Sequence, residues 1–106
     1  MHGKIQAEQA PIDRAITEEL ISLLPEAWNS AVLEVRRGSD GESYEHEVTS
    51  PEKKRGVVMV SDLLFMKTRE LALLFERYGA PFARIRYRVD RLKDGNWKFK
   101  ADFEYV

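Results

Sequence analysis

The sequence predicts an α+β domain in which two helices pack on one face of an antiparallel sheet of four to five strands, in the order α-β-β-(β)-α-β-β. Two observations lead to this prediction. Two segments repeat apolar side chains every three or four residues, as amphipathic helices do, and two pairs of segments alternate apolar with polar side chains, as hairpin strands do. A chain of 106 residues is long enough for one hydrophobic core, so residues 1–106 are predicted to form a single domain.

The first helix is predicted to start at Pro11, because a residue without an amide N–H costs nothing in the first turn of a helix. The preceding residues 1–9 are polar and are predicted to be flexible. Pro25 is predicted to end the helix, since proline prevents its continuation. The apolar stripe between the two prolines consists of Ile12, Ile16, Leu20, Leu23 and Leu24.

A first hairpin and a second helix follow. Residues 31–37 and 44–49 alternate on either side of the glycine-containing loop 38–41, which predicts two paired strands. The second helix is predicted to begin at Ser61, whose hydroxyl can cap the free amides of the first turn, and to end near Tyr78 before Gly79. Between hairpin and helix, Val57–Val60 fits either a short strand, the bracketed element of the predicted order, or an extended lead-in.

The clearest local signal is a second hairpin around Asp94-Gly95, a dipeptide that favours tight turns between strands. Its apolar row, which we expect the second helix to bury, is Ile85, Tyr87, Val89, Trp97, Phe99, Phe103 and Tyr105. Its charged row is Arg84, Arg86, Arg88, Lys98, Lys100, Asp102 and Glu104. Because one face of an antiparallel sheet can remain in water, the charged row is predicted to face solvent or a partner.

The composition argues against several classes of function. The net charge of −1 gives no overall attraction to nucleic acid or to an anionic membrane, and no apolar run approaches the ~20 residues that span a bilayer. The absence of cysteine excludes disulfides, thiolate metal sites and thiol nucleophiles. The polar residues at the N-terminus are unlike a signal peptide. We therefore expect a cytoplasmic protein with no membrane contact, no cofactor and no bound metal.

The basic residues of the charged row are the first candidate for a binding surface: Arg84, Arg86, Arg88, Lys98 and Lys100. They fit contact with a protein partner better than contact with nucleic acid, because the aromatic side chains that stack on bases point the other way. The alternative is a solvated face on which carboxylates of neighbouring strands pair with these cations. Those carboxylates are Glu34, Glu45, Glu47, Asp102 and Glu104.

Acidic residues of the first hairpin are the second candidate: Asp40, Glu42, Glu45 and Glu47. Together they can imitate the phosphates of a nucleic acid and so bind a basic partner. The alternative is that they only protect an exposed strand edge against aggregation by charging it.

Three apolar residues of the second helix are the third candidate. Leu63, Met66 and Leu73 project away from the helix face that is predicted to meet the core. Exposed apolar clusters of this kind often mark protein contacts, so these residues predict a homodimer contact. The alternative is that the first helix or residues 51–60 cover them.

His46 is the one histidine outside the N-terminal segment, and it follows and precedes a glutamate. In a strand these neighbours point to the opposite face, so a partly buried, hydrogen-bonded histidine is the preferred interpretation. No Ser-His-Asp arrangement, phosphate-binding loop or glycine-rich nucleotide motif is present. The chain is therefore predicted not to be an enzyme.

The ordered motifs of the chain resemble those of the YezG-like immunity proteins of polymorphic toxin systems, over the range from about Ile16 to Tyr105. The motifs are Leu24-Pro25-x-x-Trp28, Gly41-Glu42-x-Tyr44-x-His46, Glu70-Leu71-x-x-Leu74-Phe75, Gly79-x-Pro81-Phe82 and the Asp94-Gly95-x-Trp97-x-Phe99-x-x-Asp102-Phe103-x-Tyr105 hairpin. The resemblance implies a cytoplasmic, non-enzymatic α+β protein. Such a protein would bind the toxin domain of a secreted or contact-delivered effector, frequently a nuclease, and block its active site or substrate groove.

Three functional hypotheses follow, in order of preference. The first is an immunity protein that occludes a cognate toxin domain. The second is a small nucleic-acid-binding module that uses the basic sheet face, whose affinity would fall steeply with salt. The third is a small enzyme that uses His46 with a carboxylate.

Overall fold

The computed structural model of the chain describes residues 2–106, with side chains from Ile5 onward. Its elements are α1 (His2–Leu23), β1 (Ser30–Arg37), β2 (Tyr44–Thr49), α2 (Asp62–Arg77), β3 (Phe82–Arg91) and β4 (Trp97–Tyr105). The strands form one antiparallel sheet in the order β2-β1-β3-β4, and both helices pack on the same face of it. The predicted α+β fold and order of elements are confirmed.

Helix α1 begins much earlier than the sequence predicts. It starts at His2, so Pro11 lies inside the helix and not in its first turn. Proline cannot donate a helical hydrogen bond, and local propensity alone therefore disfavours this extension. The residues before Pro11 have tertiary contacts: Ile5 packs against the core, and the carboxylate of Glu8 accepts hydrogen bonds from Arg77 (3.2 Å) and from the hydroxyl of Tyr78. The flexibility of residues 1–9 stays a prediction, and Met1 lies outside the described residues.

The segment Val57–Val60 is extended but is not a strand of the sheet, which has four strands. Its side chains alternate, with Val58 and Val60 packed against the core and Val57 and Met59 exposed. Of the two alternatives left open by the sequence, the extended lead-in to α2 is the one observed.

Both predicted ends of α2 are confirmed. The hydroxyl of Ser61 accepts a hydrogen bond from the amide of Leu64 (3.2 Å), which caps the first turn. At the other end Gly79 adopts a left-handed conformation (φ 72°), and the amide of Ala80 donates to the carbonyl of Phe75 (2.9 Å).

The core lies between the helices and the inner face of β1 and β3. Its buried apolar side chains are Ile12, Ile16, Leu20, Trp28, Ala31, Leu33, Val35, Leu64, Leu71, Ala72, Leu74, Phe75, Phe82, Ile85, Tyr87 and Val89. The prediction that the helices bury the whole apolar row of the second hairpin is wrong for two residues. Phe99 and Tyr105 are 48% and 57% exposed, because β4 is an edge strand that the helices cover incompletely.

Candidate functional site

The sheet face turned away from both helices is the main candidate site, and we call it the open face. It carries six basic and six acidic side chains, because every second residue of each strand points to it. They are Arg36, Arg84, Arg86, Arg88, Lys98 and Lys100, with Glu34, Glu45, Glu47, Asp90, Asp102 and Glu104. The predicted charged row thus shares one surface with the acidic strand β2.

Strand register places these residues in rows across the sheet. The first row runs Glu45, Arg36, Arg84, Glu104. The second row runs Glu47, Glu34, Arg86, Asp102. In both rows acidic residues occupy the outer strands, and arginines occupy much of the interior. Each arginine therefore lies within reach of carboxylates on a neighbouring strand.

Glu34 is the centre of the open face. Its side chain is 15% exposed, and three guanidinium groups converge on it: Arg36 at 3.5 Å, Arg86 at 3.4 Å and Arg84 at 3.8 Å. Arg84 is also hydrogen-bonded to Glu104, and this bond raises the pKa of Arg84 and lowers the pKa of Glu104. The pairing of cations with carboxylates across strands, one of the alternatives drawn from the sequence, is present here.

An acidic corner lies on β2. The carboxylates of Glu45 and Glu47 are 3.6 and 3.7 Å from the same guanidinium, that of Arg36, which also serves Glu34. One positive charge is therefore shared by three carboxylates, and this corner keeps a negative excess. The Glu45 and Glu47 side chains are mostly exposed, so a partner can reach them.

The two acidic residues of the preceding loop have a different environment. The carboxylate of Asp40 accepts hydrogen bonds from the amides of Ser43 and Glu42, both at 2.9 Å, and from the Ser43 hydroxyl. The bonds from Ser43 and Glu42 lower the pKa of Asp40. Asp40 thus holds the turn, while Glu42 is exposed beside it. A role of either residue in partner binding stays a prediction.

A basic corner lies diagonally opposite, near the β3–β4 turn. Arg88 faces Lys100 across the strand pair, and Lys98 faces Asp90. Arg88 is ion-paired with Asp90 at 3.1 Å, which raises the pKa of Arg88. Within the described part of the chain, neither lysine forms an ion pair shorter than 4.0 Å. The open face is therefore polarised, with its negative excess on β2 and its positive excess at this corner.

His46 lies on the other side of the sheet, toward α2. Its Nε2 lies 2.7 Å from the hydroxyl of Thr68, at hydrogen-bond distance, and the same hydroxyl lies 3.0 Å from the carbonyl oxygen of Phe65. The Nδ1 atom of His46 is buried without a partner among the described residues, and burial lowers the pKa of His46. The predicted hydrogen-bonded, partly buried histidine is confirmed for one ring nitrogen and wrong for the other.

We expect His46 to make the protein less stable as the pH falls. Because its folded-state pKa lies below the ordinary value of 6.5, the unfolded chain takes up a proton first, and stability is lost as the pH falls below about 6.5. The slope for one group is at most about 1.4 kcal/mol per pH unit. Urea unfolding at about pH 7 and pH 5 should show a clearly smaller loss for His46→Phe.

The matched control is His2→Ala, which removes the other histidine of the chain. Its pH dependence should equal that of the wild-type protein. If His46→Phe retains the full loss of stability between pH 7 and 5, the protonation of His46 is not its cause.

The apolar residues predicted to leave the core face of α2 are exposed. Leu63, Met66 and Leu73, which we call the α2 stripe, are 47%, 64% and 53% exposed. The alternative that α1 or residues 51–60 cover them is wrong, because each of the three keeps about half or more of its surface exposed. The predicted homodimer contact through these residues stays a prediction.

Two arginines of β1 have partners that the sequence pattern did not identify. Arg36 links three carboxylates of the open face, and Arg37, on the helix side, bonds the carbonyl of Gly41 (2.9 Å) and the carboxylate of Glu76 (3.1 Å). The alternation of β1 places the two on opposite faces. Their partners depend on strand order, which no local pattern reveals.

Comparisons with known proteins give no family. No protein-family model matches the sequence, and no curated protein is significantly similar to it. Among the side chains that the structure describes within residues 2–106, no group of three or more metal ligands is placed to hold a metal ion. Within the same range, no helix is long and apolar enough to cross a membrane.

Proposed function

We propose that this chain is an immunity protein that binds and neutralises a cognate bacterial toxin domain by occluding its active site or substrate groove. The observation that carries the proposal is the open face, a broad sheet surface with ordered and polarised charges. Membership of the YezG-like family, which the ordered motifs of the sequence suggest, is part of the proposal. So are a cytoplasmic location and a toxin domain carried by a secreted or contact-delivered effector.

The acidic corner is the part of the open face that we assign to the toxin. A nuclease binds phosphates with clustered cations, and exposed carboxylates such as those of Glu45 and Glu47 are complementary to such a groove. The guanidinium of Arg36 lies 3.6 and 3.7 Å from these carboxylates, and both glutamate side chains remain mostly exposed to a partner.

Co-expression with a toxin domain tests the proposal. A toxin domain that co-purifies with the tagged chain from lysate of its source organism is expressed in a bacterial host, and growth is measured with and without the chain. The wild-type chain should restore growth, and Glu45→Lys/Glu47→Lys should weaken binding of the purified toxin domain by about 100-fold, because like charges then meet across the interface.

The matched control is Glu18→Lys/Glu26→Lys, which makes the same change of net charge at exposed positions outside the sheet. It should rescue growth as the wild type does. Equal loss of binding in both double variants would contradict the assignment to the acidic corner, and failure of the wild-type chain to rescue growth would contradict the proposed function.

The basic corner favours a second candidate, a small nucleic-acid-binding module. Lys98 and Lys100 lie beside Arg88 without ion pairs of their own in the described part of the chain. Arg84 and Arg86, by contrast, are paired with carboxylates and are poorly placed to bind phosphates. Binding of labelled RNA or DNA that falls steeply with salt would favour this candidate, and absence of binding at low salt would remove it.

A further inference from the structure

We propose that the chain forms an antiparallel homodimer through the α2 stripe, with the two-fold axis passing beside Leu73. The proposal is independent of the proposed function, because the stripe lies on the helix layer and the open face lies on the opposite side of the sheet. It joins two observations. One is the exposure of large apolar side chains, and the other is the order of the charges around them.

The α2 stripe is apolar surface that the fold of one chain leaves in water. The opposite side of α2 already meets the core through Leu64, Leu71 and Phe75. Met66 and Leu73 are seven residues apart, so they lie two turns apart on the same side of the helix, as contact residues of paired helices do. A helix that is apolar on two sides is typical of one buried on both.

The charges beside Leu73 indicate that a second copy of this chain is the occupant. Arg69 lies four residues before Leu73 and Glu76 three residues after it, and the two are about 20° apart on one flank of the helix. Glu70 lies three residues before Leu73 and Arg77 four residues after it, and these two are about 20° apart on the other flank. Each flank therefore carries one acidic and one basic residue, placed almost symmetrically about Leu73.

A two-fold axis beside Leu73 brings these opposite charges together. In an antiparallel helix pair related by such an axis, a residue before the axis meets the residue after it on the same flank of the partner. Arg69 then faces the partner's Glu76, and Glu70 faces the partner's Arg77. Because every contact occurs twice, four ion pairs surround a Leu73–Leu73 contact.

Other registers are less favourable. An axis midway between Met66 and Leu73 sets Arg69 against the partner's Arg69 and Glu70 against the partner's Glu70, which is repulsive. An axis beside Met66 pairs Asp62 of one copy with Arg69 of the other, but it also sets Glu70 of one copy against the apolar side chain of Leu63 of the other. The register at Leu73 is therefore the one that the charges select.

The surroundings of α2 are compatible with this contact. Three of the four charged groups already have a partner within the chain, Glu76 with Arg37, Arg77 with Glu8 and Glu70 with Lys67, and each keeps about half or more of its side chain exposed. A groove of about 660 Å³ between α1 and α2 adjoins Leu73 and is also lined by Ala7. The groove adds surface of α1 to the contact. The buried area therefore comes closer to that of a stable dimer interface.

Cysteine cross-linking tests the register directly, because the chain contains no cysteine of its own. In the full-length Leu73→Cys variant the two thiols meet at the axis, and mild oxidation should convert most of the protein to a covalent dimer. Lys98→Cys, on the sheet, is the control and should remain monomeric under the same conditions. More cross-linking by Met66→Cys than by Leu73→Cys would overturn the register.

Charge exchange provides a second test that does not depend on a disulfide. Arg69→Glu and Glu76→Arg should each weaken self-association at least tenfold in sedimentation equilibrium, because like charges then meet twice. A mixture of the two variants should restore a heterodimer, since both flank pairs are again opposite in charge. Circular dichroism of each variant checks that it is folded.

Two outcomes would overturn the proposal. One is a wild-type chain that stays monomeric at high concentration and whose Leu73→Cys variant cross-links no faster than the control. The other is a monomeric wild-type chain whose toxin binding is lost in Leu73→Asp, which would assign the α2 stripe to the toxin. The growth-rescue experiment does not depend on a dimer. If the dimer proposal fails, that experiment still decides the proposed function.

Discussion

Replacement of Trp28 by alanine is expected to lower the free energy of unfolding by about 3–5 kcal/mol. The indole is 2% exposed and lies between the end of α1 and the start of β1. Its removal takes a large apolar surface out of the core and leaves a cavity that the surrounding backbone cannot fully close. Its Nε1–H also donates a hydrogen bond to the carbonyl of Arg55 (2.9 Å).

Trp28 holds a part of the chain that has no regular structure. Gly56, beside the Arg55 carbonyl, adopts φ 129°, and a Cβ there would lie 3.2 Å from Pro25 Cγ and 3.5 Å from Trp28 Nε1. A larger residue at this position would be strained by the positive φ and would press on the Pro25 ring, so glycine lets the segment run beside Pro25 and the indole. The loss of Trp28 should therefore free this segment from the core and also remove packing contacts within the core.

Urea unfolding of Trp28→Ala and Trp28→Phe separates the two contributions of the indole. Trp28→Phe keeps much of the apolar contact and loses the bond to Arg55, so a smaller loss of about 1–2 kcal/mol is expected. If the two variants are equally stable, packing of the indole contributes little, and the hydrogen bond to Arg55 is its main contribution to stability.

The elements with strong local signals are the ones that the sequence predicted well. Ser61 and Gly79 mark the ends of α2 through capping and left-handed backbone, both of which depend on residues a few positions apart. The turn at Asp94-Gly95 is equally local, and the observed strands end on either side of it. The start of α1 was missed because the residues before Pro11 have their contacts in distant parts of the chain, such as those of Glu8 with α2, 69 and 70 residues away, and no local pattern shows them.

The candidate site was predicted in part for the same reason. Alternation along each strand is a local property, and it correctly placed the charged row on one face. Which carboxylate meets which cation depends on β1 lying between β2 and β3, and a strand order is set by packing of the whole chain. The position of Glu34 among three arginines therefore could not be read from the sequence.

A buried pair joining α1 to the sheet is the second large contribution to stability that the structure predicts. The hydroxyl of Tyr87, which is fully buried on β3, donates to Oδ1 of Asp13 at 2.5 Å, and Nε2 of Gln9 donates to Oδ2 at 3.0 Å. Burial raises the pKa of Asp13, and the bonds from Tyr87 and Gln9 oppose that shift. Burial, with the nearby Asp13 carboxylate, also raises the pKa of Tyr87.

Asp13→Ala is expected to lower the free energy of unfolding by about 2 kcal/mol, because the Tyr87 hydroxyl is left without an acceptor in a site that water does not reach. Asp13→Asn keeps an acceptor for the hydroxyl and should cost less. Tyr87→Phe in the Asp13→Ala background removes the unsatisfied donor, so the double variant should be more stable than the sum of the single losses implies. Additive losses in urea unfolding would show that the two side chains do not stabilise each other.

The same pair gives a pH dependence of opposite sign to that of His46. The folded-state pKa of Asp13 lies above its ordinary value of 3.8, so the folded protein binds this proton more tightly than the unfolded chain does. The resulting stabilisation is fully present below the ordinary pKa and is lost as the pH rises through the folded-state pKa. Relative to Asp13→Asn, the wild-type protein should therefore gain stability as the pH is lowered from 7 toward 4. A wild-type protein that instead loses stability relative to Asp13→Asn over this range would mean that the bonds from Tyr87 and Gln9 outweigh burial at this carboxylate.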